Sequence, residues 1–253
     1  MEYCDDSHRL GRRPVQGPRS SSGNQGRDEK LVTGRTSTLQ LRKNLRLATW
    51  NIRSLVEIGK VHVLGREMER RKVNVCGLSE VRWAGQGHFT TLEGHTIVYA
   101  GESNQQGQRR VAVWLHKNIA GAIIGYEPVS SRIIKVRLTA KPRNVTMVQA
   151  YGPTSVSVEA DIGEFYEDLS KAVKSVSRKD ILVVTGDFNA KLGMEESAAT
   201  GRFGLGQSND AGNRLREFFI EHELIVANTI FHHHPRRRYT WISPDGQSRN
   251  LID

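Results

Sequence analysis

Ile181-Leu-Val-Val-Thr-Gly-Asp-Phe-Asn-Ala190 is the stretch from which the rest of the chain can be read. Four apolar residues in a row, three of them β-branched, predict a strand buried on both faces. The run then meets Thr185-Gly186, and two polar side chains, Asp187 and Asn189, stand where the strand should end. Asp and Asn are depleted from strand interiors, so a pair of them two residues apart needs a reason. At strand spacing i and i+2 project to one side, which lets Asp187 and Asn189 face a common site. Open α/β sheets bind ligands at the carboxyl ends of their strands. The competing reading is a turn whose Asp187 and Asn189 bond their own backbone. By itself the stretch leaves the two readings level.

Working outward, residues 45–50 predict a strand that ends in Asn51, and residues 73–78 predict one that ends in Ser79-Glu80. Three strands thus end in Asn, Glu or Asp. Between the first two, Val61, Leu64 and Met68 carry the i, i+3, i+7 spacing of an amphipathic helix. From residue 83 to 147 the texture is of short runs separated by Gly, Asn, Pro and Ser, which predicts antiparallel strands near 95–100, 111–116, 122–126, 133–139 and 144–150. The last leads into Tyr151-Gly-Pro-Thr154. Ile162, Phe165, Leu169, Val173 and Val176 predict a long helix packed by one face. A helix at 213–223, strands at 225–228 and 239–242, and a strand beginning at Arg249 complete the reading. Interleaved strands and helices around an antiparallel block predict an α/β (α+β) fold, with two mixed β-sheets packed face to face and flanked by helices in four layers.

Composition narrows the partners. The 253 residues carry a formal charge of +10 and a pI near 9.9, which favours a polyanion. Residues 1–44 hold nine Lys/Arg against five Asp/Glu and the remainder twenty-eight against twenty-two, so a tail alone does not explain the basicity. Residues 1–44 are rich in Arg, Gly, Ser and Gln without periodicity, and are expected to be a disordered basic tail preceding one domain, 45–253. Two cysteines, Cys4 and Cys76, make no disulfide framework and read as an intracellular chain. No apolar run approaches the length of a membrane span, and no signal peptide opens the chain.

Five motifs, Thr49-Trp-Asn-Ile52, Leu78-Ser-Glu-Val81, Ala150-Tyr-Gly-Pro-Thr154, Gly186-Asp-Phe-Asn-Ala190 and Ile252-Asp253, stand in the order of the endonuclease/exonuclease/phosphatase family. The resemblance covers residues 45–253. Within that family, the segment Arg236–Asn250 resembles the endonuclease domain of RTE-type non-LTR retrotransposons. The resemblance implies Mg²⁺-dependent (or Mn²⁺-dependent) hydrolysis of phosphodiesters, here the nicking of DNA by an intracellular, nuclear monomer. It implies Glu80 as the metal-binding carboxylate with Asn51 beside it, and Asp187 as the residue that orients or deprotonates the attacking water. Asn189 would hydrogen-bond the phosphate region, and Tyr151 the phosphate or leaving oxygen. Arg53 stands where apurinic-site relatives carry a supporting Asp. Asp253 matches a carboxylate that orients the histidine of a Ser-Asp-His motif tens of residues further on. That motif and the closing strands lie beyond residue 253, so reduced activity is the expectation. Two alternatives follow: an inactive, truncated or domesticated module that binds nucleic acid or protein, and a phospholipid or inositol-phosphate phosphodiesterase or phosphatase. The basic charge and the Arg236–Asn250 segment weigh against the latter.

His232-His-His234 invites a metal reading, but consecutive strand residues point to opposite faces. With Arg236, Arg237 and Arg238 following, a basic exposed loop that tracks a nucleic-acid backbone is the expectation. Arg109-Arg110 and Arg70-Arg-Lys72 are either similar contacts or solvated faces. Trp50, Trp83 and Trp114 are expected to be packing residues.

Overall fold

Parallel pairing at two sheet edges decides where the polar strand ends come together. The computed structural model describes residues 37–42, 44–101, 109–243 and 245–252. In one sheet, β11 (Ile181–Asp187) pairs in parallel with β10 (Val145–Tyr151), and the register sets Tyr151 opposite Asp187. The other neighbour of β10 is β8 (Ile133–Leu138), antiparallel, and β8 pairs in turn with β7 (Ile123–Ser130). In the second sheet, β2 (Leu47–Asn51) runs parallel to β3 (Val75–Ser79), with Asn51 opposite Ser79. Beyond β3 lie β6 (Val111–Leu115), β5 (Thr96–Ala100) and β4 (Gly87–Thr90), all antiparallel to their neighbours. Parallel neighbours need a crossover. Helix α1 (Ile58–Arg70) provides it between β2 and β3, and α2 (Glu159–Lys174) between β10 and β11.

The strand alternation builds three apolar layers. Val75, Val113 and Leu115 from one sheet pack with Ile134, Val136, Val145 and Met147 from the other. Val148 and Ala150, on the opposite face of β10, meet Phe165 and Leu169 of α2 together with Leu215, Phe218 and Phe219 of α3 (Asp210–Glu221). Leu64 and Met68 of α1 cover Cys76, Leu78, Ile97 and Trp114. The order helix, sheet, sheet, helices is the four-layer sandwich that the sequence implies. Cys76 is a buried core thiol whose burial pushes it up to about 12, so it is no nucleophile.

Some elements differ from expectation. Residues 1–36 and Asp253 lie outside the described residues. The end of the expected tail is structured: Leu39–Gln40 (β1) pairs in parallel with Ala140–Lys141 (β9), and Leu39 sits in the inter-sheet core at 6 % exposure. Helix α3 begins three residues earlier than periodicity suggests, because Asn209 caps it by accepting from Gly212 N at 2.8 Å. The strand expected at 225–228 is instead a single 3₁₀ turn, Ala227–Thr229. Ile225 points to solvent, Val226 N bonds Ala199 O, and Thr229 bonds back to Val226 O, so the segment has a loop for a partner and not a ladder. Two-residue strands β12 (Trp241–Ile242) and β13 (Arg249–Asn250) form a separate hairpin.

Because Leu39 fills core and not solvent, Leu39→Ala should destabilise the fold by about 2 kcal/mol, the lower end for a buried leucine. Urea denaturation measures this, and an unchanged midpoint would return residues 37–42 to the tail.

Candidate active site

Asn51, Glu80, Tyr151 and Asp187 converge from the ends of β2, β3, β10 and β11. Asn51 Nδ2 donates to Glu80 Oε1 and to Asp187 Oδ2, both at 2.9 Å. One nitrogen therefore touches carboxylates delivered by two different sheets. Tyr151 OH donates to the same Glu80 oxygen at 2.9 Å. Asn51 is held by an Asx turn, since its Oδ1 accepts from Arg53 N at 3.1 Å, leaving the amide hydrogens for the carboxylates. That is the structural role of the segment around Arg53.

Backbone geometry aims the carboxylates. Glu80 follows the last residue of β3 in the left-handed region, at φ 59°, and Asn189 is there too, at φ 51°. Asn tolerates this conformation, whereas for Glu it costs on the order of 1–2 kcal/mol, a cost that collects at functional positions. Gly186 is obligatory for a different reason: a Cβ there would lie 2.0 Å from Ala150 O and push β11 off β10.

Asp187 is only 4 % exposed, and burial raises its carboxyl above the ordinary range. Opposing that, Asn51 donates to it, as does Asn189 N at 3.0 Å. Burial, with Glu80 adding to it, pushes the Tyr151 phenol up to about 12, so it remains a donor at neutral pH. The Asn189 side chain donates from Nδ2 to Gly152 O at 3.0 Å and also bonds the Tyr151 side chain, so it braces the turn after Tyr151 and sits beside the hydroxyl.

Two residues at the site are not legible in the sequence as members of it. Arg132, 8 % exposed, donates to Tyr151 O and Gly152 O at 3.2 Å and lies 5.8 Å from the Tyr151 ring centroid. Arg82 approaches Glu80 Oε2 at 3.6 Å. Nothing in Ser131-Arg-Ile133 marks a buried guanidinium; the signal is tertiary.

The remaining candidates stand apart. His232, His233 and His234 are exposed, and Pro235–Arg237 is a 3₁₀ turn. Arg236 and Arg237 are exposed, while Arg238 bonds His233 O at 2.7 Å and lies 5.7 Å from the Phe203 ring centroid. Arg70 and Arg71 both bond Glu67, and Arg109 bonds Asp161, so these arginines are paired. Trp83 and Trp114 are buried as expected, but Trp50, next to Asn51, is 42 % exposed.

The donor set at the strand ends fits a hard divalent cation. Glu80 Oε1 and Asp187 Oδ2 each lie 2.9 Å from Asn51 Nδ2, so two carboxylate oxygens flank one position. Hard oxygen donors of this kind suit a divalent ion that keeps several waters. A second cluster, Glu69, His95 and His116, brings donor atoms within 4.8 Å of one another. It does not fit a metal. Lys117 N donates to His95 Nδ1 and Asn118 N to His116 Nδ1, both at 3.2 Å. Burial lowers both imidazoles and favours their neutral forms. A neutral ring that accepts at Nδ1 carries its hydrogen on Nε2. Those Nε2 atoms face Glu69 at 3.5 and 3.9 Å, so both rings offer hydrogens and not lone pairs.

With its layers and strand-end site in place, the chain belongs to the endonuclease/exonuclease/phosphatase family, whose model matches residues 48–253. Over 210 residues it is 43 % identical to craniofacial development protein 2 of Bos taurus and 41 % identical to that of Tragulus javanicus. Each match covers 82 % of this chain but 35 % and 36 % of those proteins, so the chain spans about a third of the curated relatives' length. Among solved structures, the endonuclease domain of TRAS1, a telomere-specific non-LTR retrotransposon, superposes with a TM-score of 0.53 at 15 % identity, covering 83 % of both chains. An AP endonuclease from Archaeoglobus fulgidus gives 0.50 at 16 % identity, covering 70 % of each. At these identities the likeness is one of fold. No helix among the described residues is long and apolar enough to cross a membrane.

The raised Asp187 carboxyl carries a stability sign. Held above its unfolded value, it favours the folded state below the unfolded carboxylate range, and that contribution is lost as pH rises through the folded value. The stability of Asp187→Asn relative to wild type, both metal-free, should therefore be more favourable at pH 7 than at pH 4.5. Denaturation at the two pH values checks this, and a relative stability that does not improve as pH rises would contradict the raised carboxyl.

Proposed function

We propose that this chain is a divalent-metal-dependent DNA endonuclease that nicks one strand by phosphodiester hydrolysis, with Mg²⁺ or Mn²⁺ as the ion. The observation that carries the reading is the single Asn51 amide bridging Glu80 and Asp187 at adjoining strand ends. Family membership and the net charge of +10 support it. So does the neighbour described as a retrotransposon endonuclease domain, at the level of fold.

In this reading Glu80, with Asn51 beside it, would hold the ion. Bound there, a divalent ion would polarise a phosphoryl oxygen and neutralise charge that builds in the transition state. Asp187 takes the proton of the attacking water as the water oxygen bonds phosphorus and the P–O bond to the leaving oxygen breaks. Its raised proton affinity suits a general base. Tyr151 keeps its hydrogen and donates toward the phosphate, and the Asn189–Gly152–Arg132 brace fixes the turn that carries it. Arg236 and Arg237 bind the DNA backbone from their exposed loop.

The competing reading is a non-catalytic module that binds nucleic acid or protein, favoured by relatives whose name records no nuclease. Incubating the chain with supercoiled plasmid and Mg²⁺ separates the two. Nicking should stop with EDTA and fall about 10²–10⁴-fold in Asp187→Asn and Glu80→Gln. A wild-type chain that leaves the plasmid intact, or variants as active as wild type, would overturn the nuclease reading. Replacing Arg236 and Arg237 together with Ala should weaken DNA binding whatever the sequence, and lower the log–log salt slope by roughly two. An unchanged slope would remove those residues from the interface.

A further inference from the structure

We infer that Gln149 is a positioning residue that ties together the four strand ends bearing the active site. Gln149 is fully buried in β10 and lies two residues before Tyr151, on the same inward face. Its Nε2 donates to Ser79 Oγ at 3.1 Å and reaches Thr49 Oγ1 at 3.5 Å, while its Oε1 accepts from Thr185 Oγ1 at 2.8 Å. Each partner precedes a site residue: Thr49 stands two before Asn51, Ser79 one before Glu80, and Thr185 two before Asp187. One carboxamide on β10 thus reaches β2, β3 and β11, crossing from one sheet to the other directly beneath the site.

Elsewhere the inter-sheet layer is largely aliphatic, with Val113, Val136 and Met147 among its members. Such contacts are strong but non-directional, and they tolerate a sliding of one sheet on the other that hydrogen bonds do not. A second feature is shaped to the same carboxamide. Gly77 on β3 leaves room for it, because a Cβ there would lie 1.7 Å from Gln149 Oε1. An apolar side chain at 149 would also strand three hydroxyls in or near the core. The position therefore constrains geometry more than packing requires.

The inference rests on the nuclease reading for its activity readout only. Gln149→Met keeps length and removes both ends of the bridge, Gly77→Ala displaces the carboxamide without altering it, and Thr185→Val removes one bond. All three are compared with wild type well below the thermal midpoint. The Asn51 side-chain amide, which donates to both carboxylates, is followed by NMR without DNA or metal. Its hydrogen exchange should quicken about tenfold in Gln149→Met and Gly77→Ala, the equivalent of one hydrogen bond. Plasmid nicking in the same two variants should fall about 10²-fold in kcat with KM for DNA unchanged. A merely structural glutamine would lower the thermal midpoint and move neither readout. Folded variants whose Asn51 amide exchanges like wild type overturn the inference. Should wild type not nick DNA, the nuclease reading fails and amide exchange alone decides. Should the first two variants not fold, Thr185→Val decides by the same amide measurement.

Discussion

Asn51 Nδ2 donates at 2.9 Å to a carboxylate from each of two sheets, and most of the architecture serves to make that contact possible. Two like charges close together inside a protein repel one another strongly, so something must hold the strands that carry them. The aliphatic layer between the sheets supplies cohesion, and the parallel registers of β2 with β3 and β10 with β11 bring the four C-terminal ends to one edge. Parallel pairing does this because both strands of a pair end on the same side, which antiparallel hairpins cannot do.

Close approach is bought at specific backbone positions. Gly186 admits Ala150 O, Gly77 admits the Gln149 carboxamide, and Glu80 adopts a left-handed conformation that its side chain disfavours. The two glycines leave room where a Cβ would collide, and the Glu80 backbone turns its carboxylate toward Asn51. The raised Asp187 carboxyl belongs with them, since a folded state that disfavours a negative charge keeps that carboxylate ready for a proton or a cation.

The histidines show why proximity alone does not define a metal centre. Glu69, His95 and His116 gather donor atoms as tightly as a ligand set would. The hydrogen bonds behind the rings, from Lys117 N and Asn118 N to the two Nδ1 atoms, leave each neutral ring its hydrogen on Nε2, the atom a metal would need bare. At the strand-end site it is two carboxylates that face one another, with the Asn51 amide and the Tyr151 hydroxyl turning hydrogens toward them.

Much of this was legible in the order of residues. Apolar-rich runs mark β3, β6, β10 and β11, the 3.6-residue spacing marks α1 and α2, and Asn51, Glu80 and Asp187 stand out as polar groups where buried strands end. What escaped were elements whose identity lies in their partners: β1 and β9, two residues each, exist only by pairing with one another, and the apolar run at 225–228 is a loop because no strand among the described residues adjoins it. Arg132 looks like an ordinary turn residue, and Gln149 like an ordinary strand residue, until the Tyr151–Gly152 carbonyls and the second sheet arrive beside them. The sequence by itself determined which side chains would reach strand ends, because burial and alternation are local properties. Only the tertiary structure decided which of those ends meet, which nitrogen of a histidine is occupied, and that Asn189 braces Gly152, since each depends on atoms distant in the chain.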